Sequence, residues 1–250
     1  MFSTVVQSEQ VSLFSSTGSN QLQLFSIHCD ESLPSDAFIG LLNDRSSEPQ
    51  PEGGTVTLVS PHPSQPGFLL DQTVLHIQSP SLPNTYIQCP AQYGTELGLK
   101  HSWVHVQVRN MSREWSFEVG IADRVRRKGI IRFSTFQKRP RLKVPADSNG
   151  LPLLHLPFSF PSDSTQLTAW STVNLHLPTF FPHFTNMNLI EHASDSTEDF
   201  LHAQALFPAG QYSHVCYIRI YSTCRLRRVW FSDGGPGQKL PWEFELYARE

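Results

Sequence analysis

Short apolar segments separated by turn residues are the feature that most limits the folds open to this chain of 250 residues. Along each segment, apolar and polar side chains alternate or a few aliphatic residues run together, as they do in β-strands. The segments occupy residues 11–14, 22–25, 74–78, 85–89, 104–109, 115–121, 130–136, 169–177, 215–221, 225–231 and 242–247. Proline, glycine, asparagine and serine, which favour turns, lie between them. This pattern predicts an all-β fold, a two-sheet β-sandwich.

The composition limits the number of domains and the class of protein. A hydrophobic content of 39% can supply one core, and β-sandwiches of this length often remain single, so we predict one domain over 1–250. The amino terminus lacks the basic start and apolar run of a secretion signal. No apolar run reaches the roughly 18 residues of a membrane helix. We therefore expect a soluble intracellular chain without a membrane partner.

The basic segment near the carboxyl end is unusual for a core strand. It reads Cys-Arg-Leu-Arg-Arg-Val-Trp-Phe-Ser-Asp over 224–233. Strict alternation would put arginines beside large apolar residues on both faces, with Leu226, Arg228 and Trp230 together on one of them. A buried guanidinium needs a partner, so these arginines either reach the sheet rim and pair with nearby carboxylates or form a binding surface.

This segment and Leu-Pro-Trp-Glu-Phe-Glu-Leu-Tyr at 240–247 resemble the carboxyl-terminal signature of the cilia- and flagella-associated protein 20 family. Other blocks agree with that family in the same order: Thr-Tyr-Ile-Gln-Cys-Pro-Ala at 85–91, Leu-Gly-Leu-Lys at 97–100 and Phe-Glu-Val at 117–119. The resemblance implies a jelly-roll-like β-sandwich with a noncatalytic, structural role.

Two segments have no counterpart in the family pattern. Residues 27–70 are rich in proline, serine and acidic residues, and we predict an inserted, flexible segment there. Residues 186–207 form a second predicted insertion. Within it, Ser196 and the acidic residues after it could cap a short helix over 200–206, which Pro208 would end.

Charge is concentrated in the middle of the chain, although the formal net charge is only -3. Residues 101–150 contain eleven Lys and Arg against four Asp and Glu, whereas residues 1–100 contain two basic and nine acidic residues. A basic block attracts polyanions over a Debye length of about 8 Å in physiological salt. Acidic tubulin surfaces, nucleic acid and the chain's own acidic first hundred residues are the three candidate partners.

We predict a partner-binding surface formed by this block and the carboxyl-terminal arginines. Its members are Arg124, Arg126, Arg127, Lys128, Arg132, Lys138, Arg139, Arg141, Lys143, Arg225, Arg227 and Arg228. Aromatic residues interleave with the block, as in nucleic-acid-binding strands. However, Phe133 and Phe136 are three residues apart and must face opposite sides of a strand, so at least one belongs to the core.

No catalytic residue is predicted. The sequence contains no Gly-x-Ser-x-Gly elbow, no phosphate-binding glycine loop and no His-Glu-x-x-His. The glycine-rich stretch 234–237 contains a proline between two predicted strands and indicates a turn. We therefore predict no enzyme activity and no small-molecule substrate.

The cysteines and histidines do not predict a metal or cofactor site. The four cysteines include no Cys-x-x-Cys pair, and we expect reduced thiols at Cys29, Cys89, Cys216 and Cys224. Only His101 and His105 have the spacing of helical ligands, but they lie in a β-branched, strand-like segment. The sequence-based expectation is therefore no metal and no cofactor.

Together, these features predict an adhesive β-sandwich associated with microtubules. The resemblance implies a place at the inner junction of ciliary doublet microtubules and at basal bodies, with tubulin and neighbouring junction proteins as partners. The corresponding location is the cytoplasm and cytoskeleton, in the axoneme of a cilium or flagellum. The alternative is a nuclear protein that binds nucleic acid or transcription-linked proteins through the same basic surface. A carbohydrate-binding sandwich, recognised by a solvent-facing row of Trp or Tyr, is a third hypothesis.

Overall fold

The chain forms two β-sheets that pack face to face. This description rests on a computed structural model and covers residues 1–4, 6–49, 69–92, 94–145, 150–161, 168–190 and 207–247. The inner faces of both sheets carry the buried apolar side chains. The prediction of an all-β, two-sheet sandwich is confirmed. Among the described residues, no helix has the length and apolar character needed to cross a membrane.

Sheet A has six strands, and β13 lies at its centre. Its strands are β1 (Gln10–Ser15), β3 (Phe38–Asn43), β4 (Thr73–Gln78), β6 (Trp103–Asn110), β11 (Trp170–His176) and β13 (Cys224–Ser232). The order across the sheet is β11-β6-β13-β4-β3. β1 also pairs with β13, beside the half of that strand that β4 leaves uncovered.

Sheet B has seven strands in the order β2-β5-β12-β7-β8-β10-β9. They are β2 (Ser26–His28), β5 (Tyr86–Cys89), β7 (Ser116–Asp123), β8 (Lys128–Ser134), β9 (Arg141–Lys143), β10 (Leu153–Pro157) and β12 (Tyr212–Tyr221). Neighbouring strands are antiparallel except β8 and β10, which run parallel. Short 3₁₀ helices occupy Leu177–Thr185, Met187–Leu189, Gly235–Gly237 and Trp242–Phe244.

The core between the sheets consists of the inward-facing side chains, which alternate with outward-facing ones along each strand. In β7 and β8, Phe117, Val119, Ile131 and Phe133 point inward, and all four are buried. The stacked rings of Phe117 and Phe133 lie 5.1 Å apart, a favourable aromatic geometry. The prediction for the pair Phe133 and Phe136 is confirmed, because Phe133 is 4% exposed and Phe136 is 40% exposed.

A β-bulge at Arg227 changes which side of the sheet the residues of β13 face, so the facing predicted from strict alternation is wrong for part of this strand. Leu226 pairs with Val108 of β6, but Arg228 pairs with the next residue along that strand, Gln107, so Arg227 is the extra residue. The bulge shifts the alternation by one position. Consequently Leu226, Val229 and Phe231 join the core between the sheets, whereas the arginines point away from it.

Two predicted strands have a different structure. Residues 22–24 form a turn, and the strand begins at Ser26 instead. Residues 242–247 contain a 3₁₀ helix and do not join a sheet among the described residues. Here the alternation of Phe244 and Leu246 reflects packing over the outer face of sheet A, where Phe244 meets Trp230 edge-on at 5.2 Å.

The segments predicted as insertions are described only in part. Within 27–70, residues 27–49 contain the end of β2 and all of β3, which pairs with β4 along its full length. Residues 50–68 lie outside the described residues. In the second segment, Met187–Leu189 forms a 3₁₀ helix. The predicted helix at 200–206 lies outside the described residues.

Candidate partner-binding surface

A row of polar side chains crosses the outer face of sheet B. The strand register aligns one residue from each of six neighbouring strands, namely Gln88, Arg219, Glu118, Arg132, His155 and Arg141. Residues that pair across strands share a face, so these side chains form a ladder on the side of the sheet away from the core. Charged groups are therefore collected on a rigid β-surface.

Glu118 lies between the two central arginines of this ladder. Its carboxylate is 2.6 Å from Arg132 Nη2 and 3.2 Å from Arg219 Nη1, and its side chain is only 1% exposed. The arginine side chains are 30% and 26% exposed. Burial alone would lower the pKa of Arg132, but Glu118 and Tyr221 outweigh it and raise that pKa. Two cations share one carboxylate, which leaves an excess positive charge at the surface.

Tyrosines fix the position of Arg219. Its guanidinium carbon lies 4.4 Å from the ring centre of Tyr86 and 5.7 and 5.8 Å from those of Tyr217 and Tyr221. Its Nη1 also donates to the Tyr221 hydroxyl at 3.0 Å. Such cation–π contacts add attraction without using up all the guanidinium donors. We call Tyr86, Tyr217, Tyr221, Arg132, Arg219 and Glu118 the tyrosine–arginine face.

Gly120 allows Tyr217 to lie against the sheet. A Cβ atom at this position would approach the Tyr217 ring to 2.3 Å, which real structures do not tolerate. The Tyr217 hydroxyl donates to Glu118 Oε1 at 3.0 Å. Burial, followed by the charge of Glu118, raises the pKa of Tyr217. The phenol is therefore neutral and serves as a hydrogen-bond donor that helps to orient the carboxylate.

Basic groups extend the face toward the edge of sheet B. Arg141 and Lys143 are exposed on the edge strand β9. His155 lies between Arg132 and Arg141, and its pKa is lowered to about 4 by burial and then by the positive charges of Arg132, Lys143 and Arg141. At neutral pH His155 is uncharged, and it packs edge-on with Phe136 at 5.8 Å.

The structure separates the predicted basic surface into distinct groups. Arg132, Arg141 and Lys143 belong to the ladder or its edge, and Lys138 and Arg139 are exposed in the connection between β8 and β9. The block's remaining members, Arg124, Arg126, Arg127 and Lys128, lie at the opposite end of β8, so the sequence block does not form one continuous patch.

That second group occupies the turn between β7 and β8 and the first residue of β8. Arg124 and Arg126 are exposed, but Arg127 pairs with the fully buried Asp123 at 2.8 Å. Lys128 pairs with Glu96 at 2.5 Å. Lys128 therefore pairs with a residue of the acidic first hundred, as one of the three expected alternatives had it. Arg127 instead pairs with a carboxylate of its own hairpin.

The three carboxyl-terminal arginines do not form an exposed surface in the described structure. Arg225, Arg227 and Arg228 are 5%, 1% and 7% exposed. Arg225 Nη1 lies 2.8 Å from Asp44 Oδ1, and Asp44 also accepts a hydrogen bond from Arg109 at 2.7 Å. The expected partner surface must be corrected here, because side chains from remote strands and the last described segment cover these guanidinium groups.

The segment after β13 covers Arg227 and Arg228. Arg227 donates to Gln72 and Gln107 at 2.9 and 2.6 Å and to the Glu243 carbonyl at 3.0 Å. Arg228 lies over the Phe244 ring at 4.2 Å. Burial lowers the pKa of each guanidinium to about 10, so both remain protonated at neutral pH.

Three polar residues on sheet A form a Ser–His–Asn hydrogen-bonded chain, which resembles the arrangement of catalytic groups in hydrolases. His105 Nε2 is 2.8 Å from Ser232 Oγ, and His105 Nδ1 is 2.6 Å from Asn174 Oδ1. Burial lowers the pKa of His105, consistent with a neutral ring. However, Ser232 is 0% exposed and His105 is 1% exposed. A substrate cannot reach this serine in the folded chain, and the trio instead satisfies buried polar groups.

A second cluster of ionisable side chains lies near Lys128 and consists of Glu96, His214 and Cys216. One potential ligand atom from each residue lies within 4.8 Å of the others. Burial, followed by the charge of Glu96, raises the pKa of Cys216 to about 12. Sequence spacing did not reveal this cluster, because Glu96 comes from a loop and the other two residues from β12. The pattern His-x-Cys within one strand was the only local signal.

The chain is similar to known proteins over much of its length. A family model described as the CFA20 domain matches residues 69–190. The Chlamydomonas reinhardtii protein named Cilia- and flagella-associated protein 20 is 25% identical over 179 residues, which cover 71% of this chain and 75% of that protein. The protein of the same name from Caenorhabditis elegans is 26% identical over 179 residues, with 71% and 70% covered.

A Paramecium tetraurelia protein of that name is 22% identical over 71% of this chain and 75% of its own length. Several relatives with the same name therefore match a similar share of the chain. The resemblance to the cilia- and flagella-associated protein 20 family is confirmed: the CFA20-domain model matches residues 69–190, and the relatives of that name are similar over 71% of the chain.

Proposed function

We propose that this protein is a noncatalytic structural component of cilia or flagella that binds microtubules. The names of its relatives support a ciliary or flagellar association. Within the axoneme, we propose the inner junction of doublet microtubules and the basal body, with tubulin and neighbouring junction proteins as partners. The tyrosine–arginine face is the single structural observation that carries this proposal.

The composition of this face suits protein recognition. Tyrosine and arginine are enriched at the residues that dominate binding energy, because they combine large contact areas with hydrogen-bonding groups. Arg132 and Arg219 are already held by Glu118, so little side-chain entropy is lost when a partner binds. Their excess charge, with Arg141 and Lys143 beside them, favours an acidic partner such as the tubulin surface.

Stacking of bases or sugars is less compatible with the same face. The Tyr86 ring already stacks on His28 at 4.5 Å and carries the Arg219 guanidinium at 4.4 Å. Tyr221 contacts Arg132 and Arg219 in a similar way. The rings are thus engaged with the protein's own side chains, and the nuclear and carbohydrate-binding alternatives gain no support from this geometry. Nucleic-acid binding is kept as an outcome of the test.

Cosedimentation with microtubules tests the proposal. The variant Arg139→Glu/Arg141→Glu reverses the charge of Arg141, at the end of the ladder, and of the exposed Arg139, two residues before it. We expect at least a tenfold loss of affinity and a strong decrease with added salt. The matched control is Arg124→Glu/Arg126→Glu, which makes the same charge change on exposed residues at the opposite end of β8. The control should bind within about threefold of the parent, since its residues lie outside the proposed contact.

Microtubules stripped of their acidic tails and a DNA duplex at matched ionic strength complete the experiment. Weaker binding to stripped microtubules would identify the tails as part of the acidic partner. Equal losses in both double variants would refute the assignment to this face. Binding to DNA without binding to microtubules would favour the nuclear alternative.

A further inference from the structure

The cluster of Glu96, His214 and Cys216 combines three kinds of metal-binding group at one place. Glu96 Oε2 lies 3.0 Å from His214 Nε2, and the Cys216 sulfur completes a triangle whose atoms are all within 4.8 Å of one another. Glu96 and His214 are partly exposed, whereas Cys216 is 6% exposed. An ion from solvent could therefore reach the carboxylate and imidazole first and contact the sulfur below them.

The backbone holds this cluster in place. A register shift between Val215 and Tyr217 departs from regular alternation along β12 at Cys216. The loop that carries Glu96 is joined to the same strand, because Leu97 N donates to the Cys216 carbonyl at 2.8 Å and Gly98 N donates to the Val215 carbonyl at 3.0 Å. Two segments far apart in the sequence thus bring their side chains together on a fixed frame.

Neighbouring groups leave ligand atoms available to a metal. Ser213 Oγ is 3.0 Å from His214 Nδ1, so a proton on Nδ1 can be donated to the hydroxyl while Nε2 binds an ion. Ordered partners of this kind orient metal-binding histidines. Lys128 binds Oε1 of Glu96, whereas Oε2 faces His214. The lysine and a metal can therefore share the carboxylate.

The thiol of Cys216 provides an independent reason to look for a ligand. It is more than nine-tenths buried, and its sulfur has no hydrogen-bond partner among the described residues. Its side chain is directed toward Glu96 and His214 rather than into the apolar core between the sheets. A packed structural cysteine would be expected among apolar neighbours, as Cys89 and Cys224 are in this protein.

We propose that Glu96, His214 and Cys216 form a Zn²⁺ site. Zinc accepts thiolate, imidazole and carboxylate ligands together, whereas Mg²⁺ and Ca²⁺ prefer oxygen ligands. Bond lengths of about 2.0–2.3 Å place tetrahedral ligand atoms roughly 3.3–3.7 Å apart. The three ligand atoms lie within 4.8 Å of one another and Glu96 and His214 are 3.0 Å apart, so displacements of about 1 Å or less reach these distances. Binding releases the thiol proton to solvent, and the fourth position is left for water or a partner side chain.

Titration of the reduced, untagged protein with Co²⁺ tests the site, since tetrahedral Co²⁺ substitutes for zinc and absorbs visible light. We expect d–d bands and a near-ultraviolet sulfur-to-metal band that saturate at one equivalent and disappear when Zn²⁺ is added. The variants Cys216→Ser and His214→Ala should lose the bands or weaken binding at least tenfold. The matched control Cys29→Ser changes an exposed cysteine outside the cluster and should titrate like the parent.

Thermal unfolding keeps the test informative where a variant folds poorly. Excess Zn²⁺ should raise the unfolding midpoint of the parent and of Cys29→Ser, and it should not raise that of His214→Ala, whose side chain is partly exposed. Circular dichroism establishes that each variant is folded. Absence of the sulfur-to-metal band in the folded parent would overturn the proposal, as would an unchanged titration of the folded Cys216→Ser variant.

Discussion

Removal of the Asp44 carboxylate provides the most direct test of how sheet A tolerates buried arginines. Asp44 is fully buried and accepts hydrogen bonds from Arg225 at 2.8 Å, Arg109 at 2.7 Å, the Trp170 indole at 2.8 Å and the Leu70 amide at 2.9 Å. Four donors from separate parts of the sequence thus meet at a single side chain. Asp44→Ala would leave all four without this partner.

The expected cost follows from the burial of the charges. Removing one partner of a buried ion pair typically destabilises a protein by about 3–5 kcal/mol, because the remaining charge stays out of water. Arg225 is only 5% exposed and retains the Asp44 backbone carbonyl and Ser47 Oγ as acceptors. These bonds do not replace the negative charge, so we expect a loss of about 3–5 kcal/mol in the free energy of unfolding.

A matched control is available on the surface. Asp71 pairs with Arg45 at 3.2 Å, but the side chains are 46% and 64% exposed. Exposed pairs contribute about 0–1 kcal/mol, so Asp71→Ala should change the free energy of unfolding by no more than that amount. Urea unfolding of the parent and both variants at pH 7, followed by fluorescence and circular dichroism, gives the two differences.

The pH dependence supplies a second, independent observable. Burial would raise the pKa of Asp44, but hydrogen bonds from Arg225 and Trp170 and the charge of Arg109 outweigh it and lower that pKa below its usual value of 3.8. A carboxyl group with a lowered folded-state pKa contributes its stability above the unfolded pKa. That contribution declines as the pH falls toward the folded pKa, by about 1.4 kcal/mol per pH unit.

The difference between the parent and Asp44→Ala should therefore be constant near neutral pH and shrink below about pH 4. A loss for Asp44→Ala no larger than that for Asp71→Ala would refute the reasoning. So would a difference that grows as the pH is lowered through this range.

Two further predictions concern the core and the thiols. Phe231→Ala should destabilise the protein by about 3–5 kcal/mol, since the ring is fully buried between the sheets. Phe244→Ala should cost less because its ring is only partly buried over sheet A, and equal urea midpoints for the two variants would contradict this difference. With a thiol reagent at pH 8, Cys29 should react first because it is exposed, and Cys224 should react only on unfolding because burial raises its pKa to about 12. Mass spectrometry of the labelled peptides measures the order of reaction, and the opposite order would contradict this prediction.

Period-two alternation was sufficient to predict much of the fold. It located β4, β5 and β6 closely, because their inward residues are apolar and most of their outward residues, such as His76, Gln88 and Gln107, are polar. It missed β3, whose sequence Phe-Ile-Gly-Leu-Leu-Asn lies in a segment dominated by polar and acidic residues. It also missed β9 and β10, which are short strands at the edge of sheet B. Strand pairing, rather than local pattern, defines these elements.

The arrangement of the candidate surface was less accessible from the sequence. Arg225 and Arg227 belong to a basic run that looks solvated, but their partners Asp44, Gln72 and Gln107 are 181, 155 and 120 residues away. A one-residue bulge further inverts the facing of half the strand. These contacts are nonlocal, so no spacing rule applied to the run itself can distinguish a buried arginine from an exposed one.

The tyrosine–arginine face could not be assembled from local sequence patterns either. Arg132 was predicted as part of a surface, but Arg219 and the tyrosines around it were not, because they lie on other strands. The side chains of Tyr217, Arg219 and Tyr221 alternate with core residues along β12, a pattern that is also typical of an ordinary half-exposed strand. Only the register between β12, β7 and β8 brings the charges into one row.

The central position of β13 has a consequence for the order of folding during synthesis. β13 is the last strand along the described chain, yet it pairs with β1, β4 and β6. As the ribosome makes the protein from the amino end, those three strands emerge before the strand that joins them. Until residues 224–232 have left the ribosome, their pairing edges stay open, and such edges promote association between chains. Sheet A is therefore completed only after β13 has been made, and the nascent chain exposes these unpaired edges for most of its synthesis.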